Sequence, residues 1–288
     1  MIWTWLTHLL GAASPPAVAA TGANAAGPGP AETYALPRSR REQARLELQH
    51  FALRQLLGTH FLAPIEQPGV ILDVGSGTGV WLREAARRWP HARLVALDKD
   101  LSLLRQPLPP RCQPVQADLL AGLPFPEAHF DYVHQRFLAT AIPLTAWPGI
   151  LDDLLRITRP GGWLELIEAT GDTCNEGALH QQVRAWFSAL LERRGLRLDA
   201  ALNLPHWLHE RGLQPHTLRF QMPLFGRRQG APLFREDILS ALRTLGPQLA
   251  AVNHLSREQV AETLAALPQE WERLRTSSGG IAVWGRKP

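Results

Sequence analysis

Apolar residues recur along this chain with more than one rhythm. Between Arg38 and Leu57 they fall at Leu46, Leu48, Phe51, Leu53, Leu56 and Leu57 with charges between them, and Gly58 follows. That spacing predicts an amphipathic helix with a glycine stop. From Val70 to Leu166, short apolar runs alternate with helical stretches. The runs are Val70–Leu72, Arg93–Leu97, Val115–Ala117, Phe130–Val133 and Trp163–Ile167; the helices are Val80–Trp89, ended by Pro90, and Ile150–Thr158, ended by Pro160. Strands alternating with helices predict an α/β fold, a parallel sheet covered on both faces. After Gly171 the pattern turns mostly helical. Ala178–Arg194, Ala200–Arg211, Glu236–Ala250 and Ser256–Leu274 predict helices, with strands at Thr217–Pro223 and Gly280–Arg286.

Residues 1–31 follow neither rhythm. Met1–Leu10 is short and apolar, and Gly11–Ala31 is rich in Ala, Gly and Pro and carries no charge. Ala17-Val18-Ala19 fits a signal-peptide cleavage site, but no Lys or Arg precedes Leu10, so export is not expected. The segment reads as a flexible extension whose residues 1–10 can dock on a partner or a membrane surface. The rest, 32–288, reads as one domain. Its core is expected at about 68–171, 213–224 and 279–288, with cap helices at about 38–57 and within 172–275.

Composition removes several classes. No apolar run reaches the ~18 residues of a membrane-spanning helix. Cys112 and Cys174 are too few for a disulfide framework or a four-cysteine zinc site. Net charge is +4, and the acids are interspersed with the arginines through most of the chain, so the balance does not by itself suggest nucleic acid. His206 and His209 lie three apart on an expected helix with no third ligand nearby, so no metal is expected.

The chemistry concentrates in Leu72-Asp73-Val74-Gly75-Ser76-Gly77-Thr78-Gly79, between the first strand and a helix. Glycines there let a ligand approach the backbone, in the crevice beyond the carboxyl ends of parallel strands. The spacing G-x-G-x-G is one residue short of the dinucleotide fingerprint, and no Gly-Lys-Ser/Thr follows to make a P-loop. Asp73, two residues before Gly75, is a poor neighbour for a pyrophosphate. It suits the ammonium and sulfonium of S-adenosylmethionine (SAM). Asp98, ending the second strand, can accept from ribose hydroxyls, and Asp118, after the third, from an adenine amine. Lys99, Ala117 and Leu119 flank them and join the same cofactor set.

These residues resemble the class I SAM-dependent methyltransferases. Arg159-Pro160-Gly161-Gly162-Trp163 resembles that family's turn into its fifth strand, with Arg159 in place of the usual lysine. Phe130–His134 and Gly279–Pro288 resemble its fourth and last strands. Arg41–His50, Phe61–Ile65, His134–Phe137 and Trp163–Glu168 are similar to the LaeA-like subgroup, which includes regulators of secondary metabolism. The resemblance implies a Rossmann-like, seven-stranded mixed sheet of order 3-2-1-4-5-7-6, with helices on both faces and helical cap additions. It implies methyl transfer from SAM, leaving S-adenosylhomocysteine (SAH), to a small-molecule acceptor such as a natural product; the cytoplasm is the expected location, because SAM is made there and no convincing export signal is present. The alternative it leaves open is a methyltransferase-fold regulatory or scaffold protein that binds SAM and partners. Base-flipping enzymes carry an Asn/Asp-Pro-Pro-Tyr/Phe motif where this chain has His134-Gln135-Arg136-Phe137, so nucleic acid is not the expected substrate.

Further site residues follow from position. Arg45 and Gln49, one turn apart, can close over the SAM carboxylate, joined by Tyr34. Gln135 is placed in the cofactor set. His134 and Glu168 are the candidate catalytic residues, at the ends of the fourth and fifth strands. Arg136 can orient an anionic substrate or pair with Glu168.

Overall fold

The computed structural model describes residues 39–288, so the expected extension, its docking stretch at 1–10, and Tyr34 lie outside the described residues. Helix α1, Arg40–Leu57, opens on Ser39, whose hydroxyl accepts the Glu42 N–H. It closes on Gly58 at φ +72°, a left-handed cap that glycine adopts without strain. The strands and helices then alternate: β1 Val70–Val74, α2 Val80–Arg88, β2 Arg93–Asp98, β3 Cys112–Gln116, β4 Phe130–Arg136, α3 Trp147–Ile157 and β5 Thr158–Cys174. The remainder is α4 Ala178–Glu192, α5 Leu204–Glu210, β6 His216–Pro223, α6 Ala231–Val252, α7 Arg257–Leu274 and β7 Ser277–Arg286.

The sheet order is β3-β2-β1-β4-β5-β7-β6, as expected. The first five strands are parallel, and β7 runs antiparallel to both β5 and β6. One face packs on α3 and α5, with Trp147 and Leu208 wholly buried against Leu72, Val133 and Leu164. The other face carries two clusters. Trp81, Leu82 and Ala85 of α2 cover Ile71, Leu94 and Ala96. Helices α1, α4, α6 and α7 gather over Ile167, Phe220 and Ala282. No helix among the described residues is long and apolar enough to cross a membrane.

Several boundaries differ from expectation, each for a local reason. The third strand is Cys112–Gln116 rather than Val115–Ala117. It is an edge strand, which tolerates Pro114 because one side of its backbone needs no partner. The links from β2 to β3 and from β3 to β4 hold short 3-10 turns, Leu101–Leu103 and Leu119–Ala121, in place of α-helices, where Pro107, Pro109, Pro110, Pro124 and Pro126 deny helical hydrogen bonds. The single helix expected over Ala200–Arg211 is a 3-10 segment, Leu198–Asn203, followed by α5, because Pro205 sits in the first turn of a new helix. Helix α3 starts at Trp147, three residues early, with Pro148 in its own first turn.

Charged side chains pin the strand ends. The Asp131 carboxylate accepts from the Gly69 and Val70 N–H groups at 2.6 Å each and pairs with Arg159 at 2.6 Å. Lys287 donates to the Leu155 and Thr158 carbonyls at the end of α3, which also complements the helix dipole. Glu270 of α7 caps α4 from outside, accepting from the Leu179 and His180 N–H groups. It occupies the space that a side chain on Gly177 would need.

Candidate functional site

A cavity of about 710 Å³ opens at the carboxyl ends of the parallel strands. Its first wall is the loop after β1. The Gly75 and Ser76 N–H groups donate to the Leu97 carbonyl at 2.8 and 3.0 Å, tying the loop to β2. Gly75 and Gly77 hold φ of +68° and +52°, which a side chain would strain. A Cβ on Gly75 would also sit 2.7 Å from a Leu138 methyl. Asp98 reaches into this loop: its carboxylate accepts from Gly77 N–H at 2.9 Å and from Asp100 N–H at 3.1 Å. Asp118 stands beyond it, accepting from Leu120 N–H at 3.0 Å and from Lys99 at 2.9 Å. Partial burial pushes the Asp118 carboxyl up, but the hydrogen bonds from Lys99 and Leu120 outweigh it and hold the group below its ordinary range. Asp98, Lys99, Ala117, Asp118 and Leu119 all line the cavity beside Gly75 and Gly77. Ser76 and Gly79 do not; Gly79 turns the chain into α2 with Leu104 packed against it.

The second wall is α1. Arg45 and Gln49 line the cavity, and both are held by Asp237 of α6: Arg45 at 2.5 Å and Gln49 at 3.2 Å. Arg45 also forks onto Glu42 at 2.8 and 2.7 Å. The expected closure of this pair over a carboxylate therefore meets a guanidinium already held by two acids. Burial raises the Asp237 carboxyl, and the charge of Arg45 opposes the rise.

The ends of β4 and β5 correct the sequence reading most. Asp73 and His134 are not on the cavity wall. They are register partners on adjacent strands, joined at 2.8 Å, and the His134 ring lies flat on Trp81 at 3.9 Å. Both face the α2 side of the sheet. Gln135 is buried on the opposite face and donates to Glu168 at 3.3 Å. Glu168 does line the cavity. Its carboxylate accepts from Leu138 N–H at 3.0 Å and Ala139 N–H at 2.9 Å, so it holds the loop that packs on Gly75. Burial raises its pKa to about 7 against those hydrogen bonds. Glu165 faces away and ties Leu62 and Ala63 to β5 through their N–H groups. Arg136 lines the cavity but does not pair with Glu168; its hydrogen bond goes to His50 Nδ1 at 3.2 Å. His206 is paired with Glu210 in the next turn of α5 and is exposed.

The third wall comes from the helices after Gly171. Val183 and Phe187 of α4, Phe234, Ile238 and Leu242 of α6 and Trp271 of α7 make it largely apolar. Its polar groups include His180, Arg184 and Ser188 of α4 and Asp237 of α6. Trp271 donates its indole N–H to His180 Nδ1 at 2.8 Å, and burial lowers the imidazole pKa, which leaves it neutral with a proton on Nε2. Asp237, His50 and His180 were missed in the sequence. Asp237 carried a usable signal: an acid among Leu233, Phe234, Ile238, Ala241 and Leu242, on the apolar stripe of a helix.

Comparison with known proteins follows the same lines. A family model described as a methyltransferase domain matches residues 41–218. The chain is 30% identical over 207 residues to the methyltransferase pytC of Aspergillus terreus, covering 67% of this chain and 62% of that protein. It therefore spans less than two thirds of the length of that relative. It is 28% identical over 167 residues to the secondary metabolism regulator laeA of Aspergillus fumigatus, covering 54% and 43%. Among solved structures, phosphoethanolamine N-methyltransferase 2 of Haemonchus contortus in complex with SAM superposes with a TM-score of 0.50 at 15% identity, covering 85% of this chain and 57% of that one. At that identity the likeness is one of fold, the Rossmann-like class I arrangement.

Proposed function

We propose, from the premise that the chain belongs to the methyltransferase-domain family, that it transfers the methyl group of SAM to a small-molecule acceptor of natural-product type. One observation carries the reading. A single cavity has a glycine and carboxylate wall at one side and an apolar helical wall at the other. Cavities of several hundred Å³ with few polar groups suit small ligands.

The residues present fit the cofactor. Gly75 and Gly77 give an approach to the backbone that no other residue type would leave open. Asp98 is held in place to accept from ribose hydroxyls, and Asp118 stands at the adenine end with Ala117 and Leu119. When bound, SAM supplies an electrophilic methyl on a sulfonium. The chain's own contribution is position and exclusion of water. Alignment of reacting groups is worth about 7–11 kcal/mol, and the apolar wall strengthens the electrostatics inside. Of the two candidate catalytic residues expected from the sequence, only Glu168 lies on the wall. With a pKa of about 7 it exchanges its proton near neutrality, the range in which a general base is effective. A cytosolic setting goes with this reading, since SAM is made there.

The test is transfer itself. The protein is incubated with methyl-labelled SAM and a panel of phenols, amines and carboxylic acids, and label is sought in the extracted acceptors. Labelled product supports the proposal. A folded protein that binds SAM and labels nothing turns the reading to a regulatory role.

A further inference from the structure

Arg136 is a cation of the cavity wall whose guanidinium fork makes no direct ion pair: the charges of Asp73, Glu165, Asp237 and Glu168 act on it only from a distance. A guanidinium stays charged in proteins. Among the described residues no carboxylate pairs with it, because each acid nearby is held elsewhere. Glu168 takes the Leu138 and Ala139 N–H groups. Asp237 takes Arg45 and Gln49. Asp73 takes His134, and Glu165 takes Leu62 and Ala63. The hydrogen bond Arg136 does make, to His50 Nδ1 at 3.2 Å, goes to an imidazole. His50 is wholly buried and stacks on His60 at 4.3 Å. Its pKa is held at about 2 by burial and then by the charge of Arg136. His50 therefore orients the guanidinium and leaves its charge intact.

Burial of that guanidinium is costly, and distant carboxylates offset the cost only in part, because none of them is hydrogen-bonded to the fork. A bound anion would remove the cost, and the planar fork of arginine matches a carboxylate. The cofactor meets this need less well than an acidic acceptor does. The cofactor's carboxylate travels with its own ammonium, and its sulfonium adds one more positive charge. The acceptor side meets it better: Arg136 is the register partner of Ile167, which packs with Val183 and Phe234 of the apolar wall, and Phe137 follows it into the same cluster.

We propose that Arg136, oriented by His50, receives a carboxylate on the methyl acceptor, so that the acceptor is an acid with an apolar body. The inference rests on the cofactor-and-acceptor reading of the cavity. The probes are 2-naphthoate and its neutral amide, 2-naphthamide, titrated into the full chain saturated with SAH. The wild type is expected to bind naphthoate at least about tenfold tighter than naphthamide, the effect of one charge-assisted pair. Arg136→Gln removes that preference and leaves SAH affinity within about threefold; Arg136→Lys, which keeps the charge without the fork, retains part of it. Melting curves confirm that the variants fold, and the wild-type comparison stands without them. Equal binding of the two probes to the wild type overturns the proposal. So does a preference that survives Arg136→Gln, and so does a loss of SAH affinity in that variant with the preference intact, which assigns the guanidinium to the cofactor. Failure of SAH to bind at all defeats the cofactor reading instead, and the two probes are then compared without it.

Discussion

The two sides of the cavity are built in opposite ways. The side formed by Gly75, Gly77, Asp98 and Asp118 is made of backbone groups and short acids at the ends of adjacent strands. Its hydrogen bonds are local: Gly77 to Asp98, Asp100 to Asp98, Leu120 to Asp118. The side formed by α4, α6 and α7 is made of large side chains brought together across long stretches of sequence, as Trp271 on His180, 91 residues apart, illustrates. A wall of the first kind suits a ligand that does not vary. A wall of the second kind can be repacked without disturbing the first, and so is suited to setting which acceptor enters.

That contrast predicts separable losses. Ala241 lines the cavity on α6. Ala241→Trp should fill the acceptor side and lower turnover by about a hundredfold, the scale of a misplaced reactant. SAH affinity measured by calorimetry should stay within about threefold, and a parallel fall in both would break the division. Asp98→Ala is the converse. It removes a carboxylate that organises the glycine loop, so SAM and SAH binding should weaken by roughly tenfold or more, with the melting temperature little changed.

Much of the first side was legible in the sequence, because what makes it is contiguous. The glycines, Asp98 and Asp118 each follow a strand that apolar runs mark, and the crevice position follows from the alternation of strands and helices. What was not legible there is facing. Every residue of β1 is buried, so no polar alternation shows that Asp73 shares its face with Ile71 and meets His134 across the register. A catalytic role at His134 and a cofactor contact at Asp73 were expected from chain position and charge, and neither gives the face. The second side was hidden for a different reason. Helical periodicity locates α4 and α6 but not which neighbour each covers, and the partner of Arg45 lies 192 residues away.

Smaller effects sharpen the boundary between the two sides, where Glu168 sits. Its folded-state pKa, about 7, is above the ordinary carboxyl value of 4.5. The folded protein thus holds this proton more tightly than the unfolded chain. Its contribution to stability therefore falls as pH rises from about 4.5 through about 7, and is flat above. Glu168→Gln lacks the proton. The melting temperature of the wild type relative to that variant should drop by a few degrees between pH 5 and pH 7.5; a constant gap would place the carboxyl in an ordinary environment. The least effect is expected at Lys99, whose pair with Asp118 is half exposed. Exposed pairs contribute about 0–1 kcal/mol, so Lys99→Ala should change SAH affinity by less than about threefold in the same titration.

The central claim is that the glycine and carboxylate wall holds an adenosyl cofactor with a methionine end. Isothermal titration of the purified protein with SAM, SAH and NAD tests it directly. The account predicts binding of the first two at micromolar concentration and none of the third. A folded sample that binds neither adenosyl ligand, or that binds NAD in their place, contradicts it.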